Sequence, residues 1–155
     1  MLVYSTLVMV GACLGSFASA IAHRVRNGKS WIKDRDSITG KAVAARSACP
    51  MCGHQLSFFD LVPILSWVCS LGRCRYCSGK ISPRYPIVEV SGGIILAVFY
   101  AAGVGVGILL LFSLVLPFAL AGALMVWGGG KLPVPFYGAM VSTAVLFCYV
   151  FIRGA

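Results

Sequence analysis

Cys49-Pro50-Met51-Cys52, followed after 21 residues by Cys74-Arg75-Tyr76-Cys77, is the stretch that organises this 155-residue chain. Each Cys-x-x-Cys turn presents two thiolates on one side of a tight knuckle. The interval between the pairs is a loop long enough to bring the two knuckles face to face. Four thiolates so disposed are what a tetrahedral zinc site takes. The interval slightly exceeds the range of about 15–20 residues usual for this pattern, a difference a loop absorbs.

Outward from the knuckles the chain turns apolar. It is 59% hydrophobic and 11% charged, against about 25% charged in an average soluble domain. Residues 2–22 carry no charge, which is about the 20 residues a helix needs to span a bilayer. No basic residue precedes this run, so a cleaved signal peptide fits poorly. Gly11, Gly15 and Ser19 recur every four positions and predict a flat stripe for close helix packing. Beyond the knuckles, Ser82-Pro83 and Pro86 mark a helix start. Apolar helices are expected over 86–102, 106–127 and 134–152, with a second small-residue stripe at Gly93, Ala97 and Ala101. Pro117 is expected to kink the third span. Turns are expected at Gly103–Gly107 and Gly128–Lys131.

The expected architecture is an all-α integral membrane protein of about four transmembrane helices. It divides into helix 1 over residues 1–22, a basic loop with the zinc module over 23–85, and three further helices over 86–155. Eleven of the 13 Lys and Arg, with three of the four acids, lie between Arg24 and Arg84. Basic character of this kind also suits nucleic acid, but no recognition-helix pattern accompanies it. Beside apolar spans, a cytoplasmic loop near anionic lipid is the better reading. The amino terminus, the 103–107 turn and the carboxyl terminus then lie outside, with Lys131 inside. Arg153 agrees less well. Thiols in the cytoplasm stay reduced, which favours zinc over a disulfide.

The remaining candidates have blander readings. Cys13 and Cys148 read as small packing residues in apolar helices. Cys69 has no partner at knuckle spacing, and His54 reads as a neighbour of the ligands or a surface residue. Residues 55–71 are apolar but too short to span, and either lie in the membrane interface or cover the knuckles. Asp34 and Asp36 suit solvation or pairing with Lys33 and Arg35, and Asp60 suits a helix cap. Glu89, just inside a membrane helix, calls for a partner or a function. An ion pair with Arg84 or Arg24 is the expected structural role.

Several motifs together resemble the bacterial prepilin peptidases, the type IV leader peptidases. They are Gly11-Ala-Cys-Leu-Gly-Ser-Phe17 with Arg24, Cys49-Pro-Met-Cys-Gly-His54, Asp60-Leu-Val-Pro-Ile-Leu-Ser-Trp67, Gly72-Arg-Cys-Arg-Tyr-Cys77 and Ile81-Ser-Pro-Arg-Tyr-Pro-Ile-Val-Glu89. The resemblance covers about residues 8 to 100. It implies a zinc-bearing cytoplasmic module linked to S-adenosylmethionine-dependent methylation of the cleaved pilin's new amino terminus. It also implies a bacterial inner-membrane location, with zinc as cofactor and S-adenosylmethionine as a second.

The resemblance further implies a membrane aspartyl peptidase in the remainder of the fold. That chemistry needs two carboxylates sharing a proton, and no Asp or Glu follows Glu89. The family's second aspartate follows a Gly-x-Gly turn, where this chain has Gly128-Gly-Gly130-Lys131. No catalytic residue is therefore assigned. The expectation is a shortened relative acting in type IV pilin or type II secretion pseudopilin processing or assembly, without peptidase activity of its own. The alternatives are a methyltransferase half or one subunit of a split peptidase, with membrane lipid, a prepilin and a separate aspartate-bearing chain as partners. A nucleic-acid partner is not expected.

Overall fold

The computed structural model describes residues 1–35, 40–129 and 132–154. Asp36, Gly130 and Lys131, which entered the expectations above, lie outside the described residues. So do the side chains of Arg35 and Arg153.

Four long helices carry the chain. These are α1 (Leu2–Arg26), α3 (Arg84–Ala101), α4 (Val106–Trp127) and α5 (Val134–Gly154). Between α1 and α3 lie a short hairpin, β1 (Lys33–Arg35) and β2 (Ala42–Ala44), a 3-10 turn at Phe58–Leu61, and the five-residue α2 (Leu65–Cys69). Helices α1, α3 and α4 are long and apolar enough to cross a membrane, and α5 contributes a shorter apolar stretch, Phe136–Tyr149. The fold is the mostly helical one expected, with the hairpin as an addition. Helix α1 continues past Ala22 to Arg26, where His23, Arg24 and Arg26 sit in the last turn. The two arginines there suit the negative end of the helix dipole. Helix α3 begins at Arg84, before Pro86, with Pro83 as its cap.

Small residues set the central seam, where α1 packs most extensively on α3. A Cβ at Gly11 would overlap the Gly92 carbonyl, and one at Gly15 would overlap the backbone of Val88 and Glu89. In a membrane, where apolar burial gains nothing over lipid, such backbone approach is what holds helices together. Gly11, Gly15 and Ser19 are all buried, as expected. On α3 the seam uses Gly92 and Gly93, whereas Ala101 is exposed. Cys13 and Cys148 are also exposed, on outer helix faces, and do not pack the core.

Two apolar clusters fill the bundle. One, towards the loop end, joins Ala18, Ile21 and Ala22 to Val88, Ala121, Met125 and Phe136. The other joins Leu96 and Phe99 to Leu109, Phe112 and Leu116. Two arginines close the loop end. Arg26 Nη2 donates to the Gly128 carbonyl at 3.0 Å, and the Arg84 guanidinium lies 5.3 Å from the Trp127 ring centroid. A cation over an indole face is an attractive pairing.

Candidate metal centre

The two knuckles are built on one hydrogen-bond plan. Cys49 N–H donates to the His54 carbonyl at 2.9 Å, and Cys74 N–H donates to the Gly79 carbonyl at 2.8 Å. Gly53 N–H returns to the Cys49 carbonyl, and Ser78 N–H returns to that of Cys74. Two residues before each leading cysteine, the carbonyls of Ser47 and Gly72 accept from Leu56 and Ile81. The turn needs a left-handed residue after the second cysteine. Gly53 supplies it at φ 71° and Ser78 at φ 56°.

This plan gathers the four sulfurs. The Sγ atoms of Cys49, Cys52, Cys74 and Cys77 all lie within 4.8 Å of one another, and Cys49 and Cys77 are 3.9 Å apart. Zinc–thiolate bonds of about 2.3 Å in a tetrahedron put the sulfurs about 3.8 Å apart. The donor set therefore fits one tetrahedral soft metal ion. Cys49 and Cys74 are buried, and Cys52 and Cys77 face outward. Without metal the group is electrostatically uneven. Backbone N–H donors from Cys52 and Met51, with Cys74 and Cys52 thiols, bring the Cys49 thiol down to about 7. The Gly79 N–H favours the Cys77 thiolate, but the neighbouring Cys52, Cys74 and Cys49 sulfurs outweigh it and Cys77 rises to about 12. A metal ion binds thiolates, so its capture by these cysteines would release protons.

Side chains brace the knuckles against each other. The His54 ring stacks on Tyr76 with centroids 3.6 Å apart, so His54 lies beside the cluster, not in it. Tyr76 donates through its hydroxyl to Asp60 at 3.1 Å. Asp60 also accepts from the Ser57 hydroxyl at 2.7 Å and the Ser57 N–H at 3.0 Å, and lies 3.7 Å from Arg75. The Ser57 hydroxyl, more than any other neighbour, holds the Asp60 carboxyl below the usual carboxylate range. Asp60 does serve a cap, but from position N3 of a capping box whose N-cap is Ser57. The Ser-x-x-Asp spacing was the sequence signal for it. Nothing in the sequence signalled Tyr76. Cys69 is exposed on α2 and takes no part in the cluster.

Glu89 does not meet either expected arginine. It is 7% exposed and accepts the Ile64 N–H at 2.6 Å, with the Ser16 side chain as a second partner. Arg84 lies five residues earlier, about 140° round the helix, on a different face. Arg24 is engaged elsewhere, donating to the Ser30 carbonyl, to Asp34 at 2.7 Å and to the Arg46 carbonyl. Ile64 itself has φ 62° and ψ −52°, and Leu65 N–H bonds back to the Pro63 carbonyl. That is a γ-turn of the strained hand, unusual for a β-branched residue. Around this anchor the helix ends and knuckles border an open cavity of about 420 Å³, lined among others by Ser16, Ser19, His23, Trp67, Tyr85 and Glu89.

The family model described as Bacterial Peptidase A24 N-terminal domain matches residues 9–102, more than half of the chain. A Prepilin leader peptidase/N-methyltransferase of Burkholderia pseudomallei (strain K96243) is 34% identical over 104 residues, covering 58% of this chain and 34% of that protein. The protein of the same name from Myxococcus xanthus (strain DK1622) is 37% identical over 89 residues, covering 57% and 23%. That from Pseudomonas aeruginosa (strain PAO1) is 30% identical over 96 residues, covering 54% and 33%. The chain spans about a third or less of the length of these curated relatives. No solved structure matches it. The apolar helices and these relatives together point to a membrane protein.

Proposed function

The chain belongs to the family of bacterial peptidase A24 N-terminal domains, and on that premise we propose that its knuckle loop is a zinc-held docking module. It acts in the processing or assembly of type IV pilins or type II secretion pseudopilins. The observation that carries this reading is the convergence of four cysteine sulfurs within 4.8 Å. An all-thiolate set favours zinc over the hard divalent cations. Four protein ligands leave no open position, so the metal contributes structure, not catalysis. Cys49, Cys52, Cys74 and Cys77 hold it. The surrounding hydrogen bonds fix the two knuckles over the cavity at the helix ends.

On its own the chain releases no leader peptide. Aspartyl cleavage needs one carboxylate ready to take a proton from water beside a second that keeps one. Asp60 is committed to Ser57 and Tyr76, Glu89 accepts from Ile64, and no acid follows Glu89. A separate aspartate-bearing subunit would supply the cleavage. Incubation of the purified chain with a prepilin in liposomes tests this, with intact prepilin as the expected result. Leader release that Asp60→Asn or Glu89→Gln abolishes would overturn it.

A second reading is the methyltransferase half, using S-adenosylmethionine. It is favoured by the second half of the relatives' name, N-methyltransferase, and by the cavity beside the knuckles. Transfer of labelled methyl groups to an already cleaved pilin separates it from pure docking. The proposed location is the bacterial inner membrane with the loop cytoplasmic, following the positive-inside rule. In intact cells a membrane-impermeant thiol label should miss a cysteine at Lys41 and reach one at Gly105. The reverse pattern would invert the orientation.

A further inference from the structure

The link between the knuckles wears its apolar side outward. Phe58 and Phe59 in the 3-10 turn, Leu65 and Val68 on α2, and Leu71 after it are all exposed, Phe58 and Leu71 by 80% and 84%. The polar residues of the same segment point the other way. Ser66, Trp67 and Ser70 line the cavity, and the Trp67 indole N–H donates to the Ile81 carbonyl at 3.2 Å. A water-facing element has the opposite pattern. The segment's single charge, Asp60, is turned inward to Ser57 and Tyr76 with 11% of its side chain exposed.

The segment is also anchored below the loop-side ends of α1 and α3. Ile64 N–H meets Glu89, the sixth residue of α3, about 7.5 Å along the helix from Arg84. Ser16, the second partner of Glu89, lies ten residues before the end of α1, about 15 Å back along that helix. The link therefore dips alongside the bundle, below the level at which α1 and α3 emerge. Exposed Arg73, Arg75, Lys80 and Arg84 follow it directly in the chain, where headgroup phosphates would lie.

We propose that residues 58–71 form an in-plane membrane arm, with the apolar face of the 3-10 turn and α2 seated in the lipid leaflet on the loop side of the bilayer. The occupant is lipid, because the outward face is apolar, its one charge is turned inward, and it is tied through Glu89 to helices long and apolar enough to cross a membrane. The inference rests on membrane embedding and not on the pilin reading. In this position lipid forms one wall of the knuckle assembly, and the Glu89–Ile64 bond sets the depth of the arm.

The test is photo-crosslinking of the full chain in vesicles of phosphatidylethanolamine and phosphatidylglycerol. The photoreactive p-benzoylphenylalanine replaces Phe58, Leu71 or, on the hairpin, Ala42. Mass spectrometry should find lipid adducts at positions 58 and 71 several-fold above those at 42. Adducts at 58 and 71 no higher than at 42, or formed mainly with a second copy of the chain or an added pilin, would overturn the proposal. Leu71→Trp gives an independent reading. Its added fluorescence should be blue-shifted and quenched by lipids brominated on their upper acyl chains, and unquenched, red-shifted emission counts against the arm.

Discussion

The two knuckles share a backbone plan and differ in how they are moored. Cys49–His54 and Cys74–Gly79 repeat the same hydrogen bonds in the same register. Yet the second knuckle runs within a few residues into α3, whereas the first is separated from α1 by the hairpin and a long irregular stretch. Its mooring is Arg24, which reaches from the last turn of α1 to Ser30, Asp34 and the Arg46 carbonyl, just ahead of the first knuckle. The second knuckle is fastened instead by side chains, with Tyr76 and Arg75 both turned to Asp60. The difference teaches that the metal-binding plan dictates the backbone, while the residues between the ligands are free to do the docking.

The largest effect should come from removing what the knuckles share. Serine at Cys49, Cys52, Cys74 or Cys77 should abolish metal binding, worth on the order of 10 kcal/mol to folding of the loop. Metal analysis should give about one zinc per chain for the parent protein and none for the variants, with rapid proteolysis between α1 and α3. Full zinc occupancy in Cys74→Ser would remove the four-thiolate assignment. Next comes the mooring peculiar to the first knuckle. Arg24→Ala removes three charge-assisted hydrogen bonds and should cost about 2–3 kcal/mol locally. Hydrogen exchange should then quicken around residues 40–48 and change little around 72–81; equal loss in both would mean the knuckles are not moored separately.

The third prediction concerns the mooring peculiar to the second. The Asp60 carboxyl titrates below its unfolded value, so its contribution is complete above about pH 4 and lost as the pH falls through the folded value. Asp60→Asn should flatten that acid step. Pepsin cleavage near residues 57–61, compared between the parent and the variant as the pH is lowered through 4, gives the reading. An identical acid step in both proteins would assign it to another group.

The smallest effect should have opposite signs in the two knuckles. Gly53 and Ser78 both occupy left-handed backbone, and nothing within 4 Å would obstruct a side chain at Gly53. Gly53→Ala should therefore cost about 1 kcal/mol from conformation alone, and Ser78→Gly should recover a similar amount. Thermal unfolding of the metal-loaded protein compares them. Destabilisation by Ser78→Gly would indicate an unrecognised role for that hydroxyl.

The sequence disclosed what depends on spacing and little of what depends on approach. The four cysteines could be assigned because Cys-x-x-Cys is a local geometry, and the helices because apolar length is additive along the chain. The Gly11 and Gly15 stripe was legible for the same reason. The partners of Glu89 were not, because charge attraction nominates Arg84 and Arg24 while helical phase and competing carbonyls take both away. Ile64 is a case of tertiary override. No local rule puts an isoleucine in a strained γ-turn, and the buried carboxylate that accepts its N–H lies 25 residues on. The stack of His54 on Tyr76 likewise exists only once the two knuckles have met.

The glycine seam between α1 and α3 has a consequence for metal capture. By bringing Arg26 and Arg84 to the same end of the bundle, it closes residues 27–83 into a loop before any ion arrives. Two thiol pairs on an open chain would have to find each other by diffusion of the whole polypeptide. On a closed loop their effective concentration is raised by the helices themselves. A bulky residue at Gly11 should thus weaken zinc uptake from a distance, without touching a single sulfur.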